Sequence, residues 1–107
     1  MEKKMPECPV EVTLSLISSK WKVLIIRDLL IYGTMRFGEL VKSINQISKK
    51  GLTEKLRSLE EDGLVTRMVY PVVPPKVEYS LTERGKSLKI VLDAMQLWGE
   101  KYKNHEV

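Results

Sequence analysis

The fold is decided by residues 37–81, which read FGELVKSINQISKKGLTEKLRSLEEDGLVTRMVYPVVPPKVEYSL. Residues 37–46 predict a short helix, and residues 47–63 predict a turn followed by a basic helix. Two strand-like segments, LVTRMVY and KVEYSL, then flank the proline-rich tip PVVPP. A helix-turn-helix followed by a two-stranded ribbon is the winged-helix arrangement, which usually grips duplex DNA. The sequence therefore predicts a mainly α fold with a small antiparallel β-ribbon.

Capping residues and helical periodicity set the limits of the predicted helices. Pro9 suits the first turn of a helix because its missing N–H needs no partner, and Gly33 and Gly63 suit helix ends. Ser48 and Thr82 are suited to N-cap positions. The expected ranges are 9–17, 20–32, 37–43, about 49–62, and a single long helix over 83–102.

Length and composition favour one domain without a membrane segment. The 107 residues suit a single domain, expected over residues 8–102 with flexible ends at 1–7 and 103–107. The single cysteine, Cys8, rules out an intramolecular disulfide and fits a reducing cytoplasm. No segment approaches the ~20 apolar residues that span a bilayer, so we expect no membrane partner. The net charge of +4 favours a polyanionic partner, although many proteins without one carry as much.

The first and last predicted helices carry more apolar surface than a small monomer can cover. On the first helix, Val10 and Leu14 lie to one side of a second apolar row. Two surplus faces at opposite ends of the chain predict a shared homodimer interface. The alternative is that the two terminal helices pack on each other within one chain. The candidate interface residues are Val12, Leu16, Leu88, Val91, Leu92, Met95 and Trp98.

The fourth predicted helix has a charge gradient that suits docking on DNA. With its leucines facing inward, basic residues lie on the outward face of its first part, and the acidic run 60–62 lies at its end. A recognition helix enters the major groove with its N-terminal part near bases and phosphates. The alternative is an ordinary solvated face of mixed charge. The predicted ribbon of residues 64–81 is called the wing. The candidate DNA-binding residues are Ser48, Lys49, Lys50, Thr53, Glu54 and Arg57, with Lys76 on the wing.

Each side chain on this helix suits a particular contact with DNA. Lys49 and Lys50 suit phosphates or guanine edges, and Arg57 suits guanine or the backbone. Thr53 suits a phosphate or a thymine methyl group, whereas Glu54 can accept from cytosine N4. Which side chain meets which base is left open by these chemistries.

Two positions beside this surface have alternative roles. On the wing, Lys76 is the better candidate for a phosphate or minor-groove contact, because Arg67 can instead pair with Glu78 across the ribbon. Gly51 is unusual, since glycine within a helix costs about 0.5–1 kcal/mol relative to alanine. It either allows a close approach to the DNA backbone or a neighbouring helix, or it reflects drift at a tolerant exposed site.

Several segments resemble the HxlR-type winged helix-turn-helix regulators, which are relatives of the MarR group. The segments are CPVEVTLSLISSKWKVLIIRDL, RFGEL, ISKKGLTEKLRSLEEDGLVTR, VPPKVEYSLTERGKSL and WGEKY. The resemblance covers about residues 8–102 and implies a homodimer, built from the first and last helices, that binds an operator with dyad symmetry. It implies transcriptional control, with repression expected, and no catalysis. Gly51 departs from the family pattern, which more often has a larger side chain there.

Cys8 matches a cysteine before proline that senses oxidants or electrophiles in some members of this family. The helix start and the nearby Lys3 and Lys4 favour the thiolate form. Glu7 and Glu11 work against it. With one cysteine per chain, oxidation can give an intersubunit disulfide, a mixed disulfide or an adduct. The alternative is a small buried residue without a redox role.

Other functional classes are weighed against DNA binding. A winged-helix module can instead bind protein, and salt dependence separates the two because phosphate contacts release counterions. An enzyme is disfavoured because no Ser/His/acid set is visible and the only histidine, His105, lies in a polar tail. Cys8 and His105 cannot build a zinc site within one chain, so no cofactor is expected. Trp21 and Trp98 lie on apolar stripes, which favours packing over base stacking.

Overall fold

The computed structural model describes residues 5–104, which form six helices and three strands. The helices are α1 (Pro9–Ile17), α2 (Lys20–Tyr32), α3 (Phe37–Ser43), α4 (Lys49–Glu61), α5 (Glu83–Lys86) and α6 (Lys89–Tyr102). The strands are β1 (Met35–Arg36), β2 (Val65–Tyr70) and β3 (Lys76–Leu81). Lys3, Lys4 and His105 lie outside the described residues, as do 1–4 and 105–107 of the predicted flexible ends. Within the described range, no helix is long and apolar enough to cross a membrane.

The predicted limits of the first four helices are confirmed, because their capping residues act as their chemistry requires. Pro9 is the first residue of α1. Gly33 ends α2 with a φ of 77°, a conformation that L side chains rarely adopt. At the start of α4, the Ser48 hydroxyl oxygen accepts from the Gly51 N–H at 3.0 Å. Local signals are therefore sufficient to delimit these four helices.

The ribbon is part of a three-stranded antiparallel sheet in the order β1-β3-β2. β2 pairs with β3 as predicted, with Val65 opposite Leu81 and Arg67 opposite Tyr79. The expectation of two strands was incomplete, because β1 adds Met35 opposite Tyr79 on the other side of β3. A strand of two residues is too short to show the alternation by which strands are recognised.

The prediction of one long last helix is wrong, because a turn at Ser87 and Leu88 divides it into α5 and α6. The Ser87 hydroxyl donates to the Arg84 carbonyl at 2.5 Å, and such a local bond competes with the helical pattern. Gly85 lies so close to the start of β2 that a Cβ on it would be 2.1 Å from the Leu64 carbonyl oxygen. α5 is therefore held against the residue that precedes β2, and α6 forms a separate helix.

α2 is the central element of the core, since it packs against α1, α3, α4, α6 and β3. It contributes Ile25 and Ile26, which are fully buried. α4 contributes Leu52, Leu56 and Leu59, which lie one above the other on one helical face. Packing of these leucines fixes which face of α4 points outward.

Candidate nucleic-acid interface

The outward face of α4 has the orientation that the helical periodicity predicts. Its three leucines are buried, so the opposite side of the helix lies in solvent. Thr53 lies at the edge of this face and is half-buried. The exposed candidates on α4 are Lys49, Lys50, Glu54 and Arg57.

The cations of α4 are not paired with carboxylates anywhere in residues 5–104. None of the salt bridges in that range includes Lys49, Lys50, Lys55 or Arg57. Near the other end of the helix, Glu60 pairs with Arg67 of β2. The first part of α4 therefore presents unpaired positive charge beside the positive end of its own macrodipole.

Two of the candidate hydroxyl groups already serve the helix itself. The Ser48 oxygen caps the Gly51 N–H, which leaves the Ser48 proton available as a donor. The Thr53 hydroxyl donates to the Lys49 carbonyl at 2.9 Å, which leaves Thr53 a lone pair and a methyl group. Thr53 is therefore better suited to an apolar contact with a thymine methyl group than to donation to a phosphate.

Gly51 has a local structural explanation. A Cβ on it would lie 3.0 Å from Cγ1 of Ile47 and 3.1 Å from the hydroxyl oxygen of Ser48. Both atoms belong to the turn that leads into α4, so the space for a side chain is occupied by that turn. The position is half exposed, and a Cβ there would require the Ile47 and Ser48 side chains to shift by a few tenths of an ångström, which favours a steric explanation over drift.

Arg67 pairs with Glu60 of α4. The pair with Glu78 that the sequence had suggested does not form. The Arg67 Nε atom lies 3.3 Å from the Glu60 carboxylate. In the sheet, Arg67 stands opposite Tyr79, whereas Glu78 stands opposite Met68 on the other face. Because side chains alternate along a strand, Arg67 and Glu78 point to opposite faces. The ion pair instead joins the wing to the last turn of α4.

Lys76 is engaged within the wing. Its Nζ atom lies 3.4 Å from the Glu78 carboxylate and 4.8 Å from the centroid of the Tyr70 ring. A hydrogen bond to the same carboxylate raises the pKa of Tyr70 above 10.0, and the negative charge of Glu78 adds to this. Glu78 thus offsets the positive charge of Lys76, which makes Lys76 a weaker DNA contact than the α4 cations.

The tip of the wing is apolar and open to solvent. Val73 is 99% exposed and Val72 is also exposed. Proline residues on either side of the two valines have no N–H to donate. The tip therefore offers apolar surface, without charge and with few donors.

α1 and α6 are the least buried of the longer helices, and neither contains a fully buried residue. Both pack against α2 and not chiefly against each other, which disagrees with the alternative of an intrachain pair. Among the candidate interface residues, Met95 and Trp98 are exposed. The half-buried ones are Val12, Leu16, Leu88, Val91 and Leu92.

Some of the exposed apolar side chains of α1 and α6 lie beside the predicted interface residues and not among them. Leu16, Leu88 and Leu92 pack against the core of their own chain, so only part of their surface is open. Periodicity missed this because a stripe alone does not show which of its sides a neighbouring helix covers. The exposed large apolar residues of the two helices are Val10, Leu14, Ile90, Met95, Leu97, Trp98 and Tyr102.

Cys8 is exposed and occupies the N-cap position of α1, so the alternative of a buried residue is wrong. Its carbonyl oxygen accepts from the Val12 N–H at 3.0 Å. The thiol is therefore open to reagents at the end of one proposed interface helix. In the part of the chain that the structure covers, no group of three or more His, Cys, Asp or Glu could hold a metal ion.

Comparison with known proteins points to one family. The sequence profile of the HxlR-like helix-turn-helix family matches residues 16–107. The HTH-type transcriptional regulator YdeP of Bacillus subtilis is 52% identical over 97 residues, which cover 91% of this chain and 75% of YdeP. These relatives are transcriptional regulators and not enzymes.

Solved structures give the same result. The redox regulator HypR in its oxidized form is similar with a TM-score of 0.81 and 47% identity, covering 94% of this chain and 100% of that one. The reduced form of the transcriptional regulator YodB from B. subtilis has a TM-score of 0.78 and 39% identity, covering 95% and 100%. The winged helix-turn-helix fold and its regulatory class agree with the resemblance seen in the sequence.

Proposed function

This chain belongs to the HxlR-like helix-turn-helix family of transcriptional regulators, and from that premise we propose that it is a homodimeric repressor of a palindromic operator in duplex DNA. The observation that carries the proposal is the outward face of α4. Lys49, Lys50 and Arg57 are exposed there without a carboxylate partner in the described range. Unpaired cations at the N-terminal part of a helix suit phosphates and guanine edges in the major groove.

The exposed apolar surface of α1 and α6 supports the dimer. Large side chains such as Leu97 and Trp98 are 70% and 67% exposed. Exposed apolar surface on this scale is typical of a face that another protein covers. A twofold axis through these helices would give two copies of α4, and half-sites about 34–36 Å apart along the duplex would match them.

The candidate residues divide between anchoring and discrimination. Lys49, Lys50 and the Ser48 hydroxyl are assigned to phosphates, which fix the position of the helix. Arg57 and Glu54 are assigned to base edges. Thr53 adds an apolar contact, and Lys76 adds a weaker contact from the wing.

Salt dependence of duplex binding tests this function. We expect the affinity for a duplex selected from a random library to fall steeply as salt rises, because bound lysines release counterions. Lys50→Ala should make the slope of log K against log salt shallower by about 1 for each protomer. Lys86→Ala, which removes the same charge from an exposed residue of α5, is the matched control and should leave the slope nearly unchanged.

Two outcomes would contradict the proposal. A slope that Lys50→Ala and Lys86→Ala change equally would show that net charge, and not the face of α4, determines binding. Weak salt dependence, with tight capture of a protein partner, would instead favour a winged-helix module that binds protein.

Redox control through Cys8 is a second proposed property. It is supported by the exposure of the thiol and by the similarity to HypR, which is a redox regulator. Two chains could join through a disulfide if an oxidant removes two electrons and two protons from two Cys8 thiols. Treatment with diamide should change the affinity of the wild type for DNA and not that of Cys8→Ser. An equal response of both proteins would refute this role.

A further inference from the structure

Asp28 is a buried carboxylate in the middle of α2, with only 2% of its surface exposed. One oxygen, Oδ1, lies 2.9 Å from Nε and 2.8 Å from Nη2 of Arg27. The other, Oδ2, accepts from the Ser43 hydroxyl at 2.5 Å. Both oxygens are therefore engaged, and the two partners belong to different helices.

A carboxylate at this depth requires such partners. Transfer of an ionised group out of water is strongly unfavourable unless it is paired and hydrogen-bonded. An apolar side chain at position 28 would avoid that requirement, because paired buried charges seldom stabilise a fold more than well-packed apolar groups do. What the Asp28 carboxylate adds is direction, since hydrogen bonds restrict the position of their donors more than apolar contact does.

Ser43, at one end of this link, lies where α3 ends and the turn into α4 begins. Ser43 is the last residue of α3, and residues 44–48 form the turn that leads directly into α4. The turn is short and confined, as the tight space around Gly51 shows. A displacement at the end of α3 would therefore be transmitted to the start of α4.

The Arg27 end faces the region of the terminal helices. The Arg27 side chain lines a groove of about 550 Å³ between α2 and α6, where Leu92, Met95 and Gln96 form the other wall. It also lines a small cavity beside the α3–α4 turn, next to Trp21 and Asn45. The Arg27–Asp28–Ser43 link thus runs from the α6 side of the molecule to the helix-turn-helix.

We propose that Asp28 is a positioning residue that holds the helix-turn-helix at one fixed orientation on α2. The inference rests on the proposed function, because in a dimer α2 carries both the interface helices and, through Ser43, the start of the recognition unit. With the link intact, the two copies of α4 keep one separation and accept one half-site spacing. Without it, the separation varies and neighbouring spacings are accepted.

The test compares wild type, Ser43→Ala and Asp28→Asn by selection from a library of random DNA duplexes. Sequencing the bound pools gives both the half-site sequence and the distribution of half-site spacings. Ser43→Ala removes a single hydroxyl, so it keeps the test valid if Asp28→Asn does not fold. Ser80→Ala is the matched control, since its hydroxyl bonds to the Thr34 hydroxyl at 2.8 Å and this pair includes no residue of α1, α3, α4 or α6.

We expect Ser43→Ala and Asp28→Asn to select the wild-type half-site with a broader range of spacings. For duplexes with one base pair added between half-sites, the loss of affinity relative to the optimum should be severalfold smaller than in wild type. Ser80→Ala should keep the wild-type distribution of spacings. Melting temperature is recorded for each protein, because a purely structural role would lower it and leave the distribution of spacings unchanged.

The results that would overturn the inference are distinct. An unchanged distribution of spacings in Ser43→Ala would refute it, whatever happens to the melting temperature. A changed half-site sequence would indicate a direct contact with bases and would refute it as well. Failure of the wild type to select any duplex would refute the proposed function first, and this inference with it.

Discussion

α4 and the wing both carry positive side chains, but they differ in what surrounds those charges. Lys50 and Arg57 on α4 are exposed and form no salt bridge with a carboxylate in residues 5–104. On the wing, Arg67 pairs with Glu60, and Lys76 lies between Glu78 and the Tyr70 ring. The two regions are similar in charge when read along the chain and different when the strands are paired.

This difference shows that a basic residue is available to a partner only when the fold leaves it unpaired. Surface ion pairs contribute little to stability, about 0–1 kcal/mol, so the wing pairs are not needed to hold the fold. Their effect is to reduce the positive field at the ribbon. We therefore expect α4 to provide the electrostatic part of binding and the wing to add mainly apolar contact.

The largest expected effect is on the free energy of unfolding, and it comes from the contact of Gly85 with Leu64, the residue between α4 and β2. Gly85→Ala would place a Cβ 2.1 Å from the Leu64 carbonyl oxygen, a backbone atom that cannot move without shifting the root of β2. We expect a loss of about 3 kcal/mol or more in the free energy of unfolding. Thermal unfolding should then occur roughly 15 °C lower.

Gly38→Ala is the control for this change, since nothing lies within 4 Å of a Cβ added at that position. It should alter the free energy of unfolding by less than about 1 kcal/mol. If Gly85→Ala were as stable as Gly38→Ala, the contact between Gly85 and Leu64 would not be rigid. The position of the wing relative to α4 would then not depend on that contact.

The next effect compares one cation from each region. Arg57→Ala should weaken duplex binding by about tenfold or more, since it removes a side chain that can reach bases or phosphates. Lys76→Ala should weaken it by less than about threefold, because Glu78 already offsets that charge. Fluorescence anisotropy on one duplex at several salt concentrations measures both. Equal losses of affinity and of salt slope would remove the distinction between α4 and the wing.

A smaller effect should follow from releasing the wing lysine. Glu78→Gln keeps the size of the side chain but removes the charge that holds Lys76. Duplex affinity should rise severalfold, and the salt slope should steepen by up to about 1 per protomer. The pKa of Tyr70 should fall back toward 10.0, because the carboxylate that raises it is gone.

The pKa of Tyr70 is read from the ultraviolet absorbance of tyrosinate, with Tyr70→Phe identifying the signal. Unchanged DNA binding together with a lowered pKa of Tyr70 would mean that Lys76 is freed and still does not reach DNA. The wing would then contribute no electrostatic contact at all.

The smallest effect concerns Tyr79 of β3, whose hydroxyl is influenced by the charge of Glu60 on α4. Burial raises the pKa of Tyr79 above 10.0, and the Glu60 carboxylate raises it further, while Arg67 and Arg57 oppose the shift. The unfolded chain therefore loses this proton at a lower pH than the folded chain. The stability that results is present below pH 10.0 and is lost as pH rises through the pKa of the folded state.

Denaturant unfolding of wild type and Tyr79→Phe on either side of pH 10.0 isolates this contribution. The stability of the wild type should decline more steeply with pH than that of Tyr79→Phe. Parallel declines would mean that Tyr79 is not held in the buried environment that joins wing and helix.

Most of the helical framework could be predicted from the chain alone. Pro9, Gly33 and Ser48 act through their own backbone geometry or hydrogen bonds, so their effect does not depend on distant residues. The same is true of the leucine spacing in α4, which gives its outward face. The class of fold follows from this order of elements, and the family was indicated by the resemblance of the quoted sequence segments.

What could not be predicted depends on contacts between segments distant in sequence. The close approach of Gly85 to Leu64, which holds α5 beside the start of β2, is shown by no local pattern. The partner of Arg67 depends on the register of β2 and β3, and the role of Asp28 depends on Ser43 being brought beside it. The sequence shows where the charged side chains are along the chain, but it does not show which side chain each of them contacts.

The central position of α2 has a further consequence for the order in which the molecule opens. Because α2 contacts α1, α3, α4, α6 and β3, its amide hydrogens can exchange with solvent only after most of those contacts are lost. The amides of α1 and α6 are protected by fewer contacts and should exchange earlier in an isolated protomer. Slow exchange in α2 would therefore report global unfolding, while exchange in α1 and α6 would report local opening at the surface where a second copy is expected to bind.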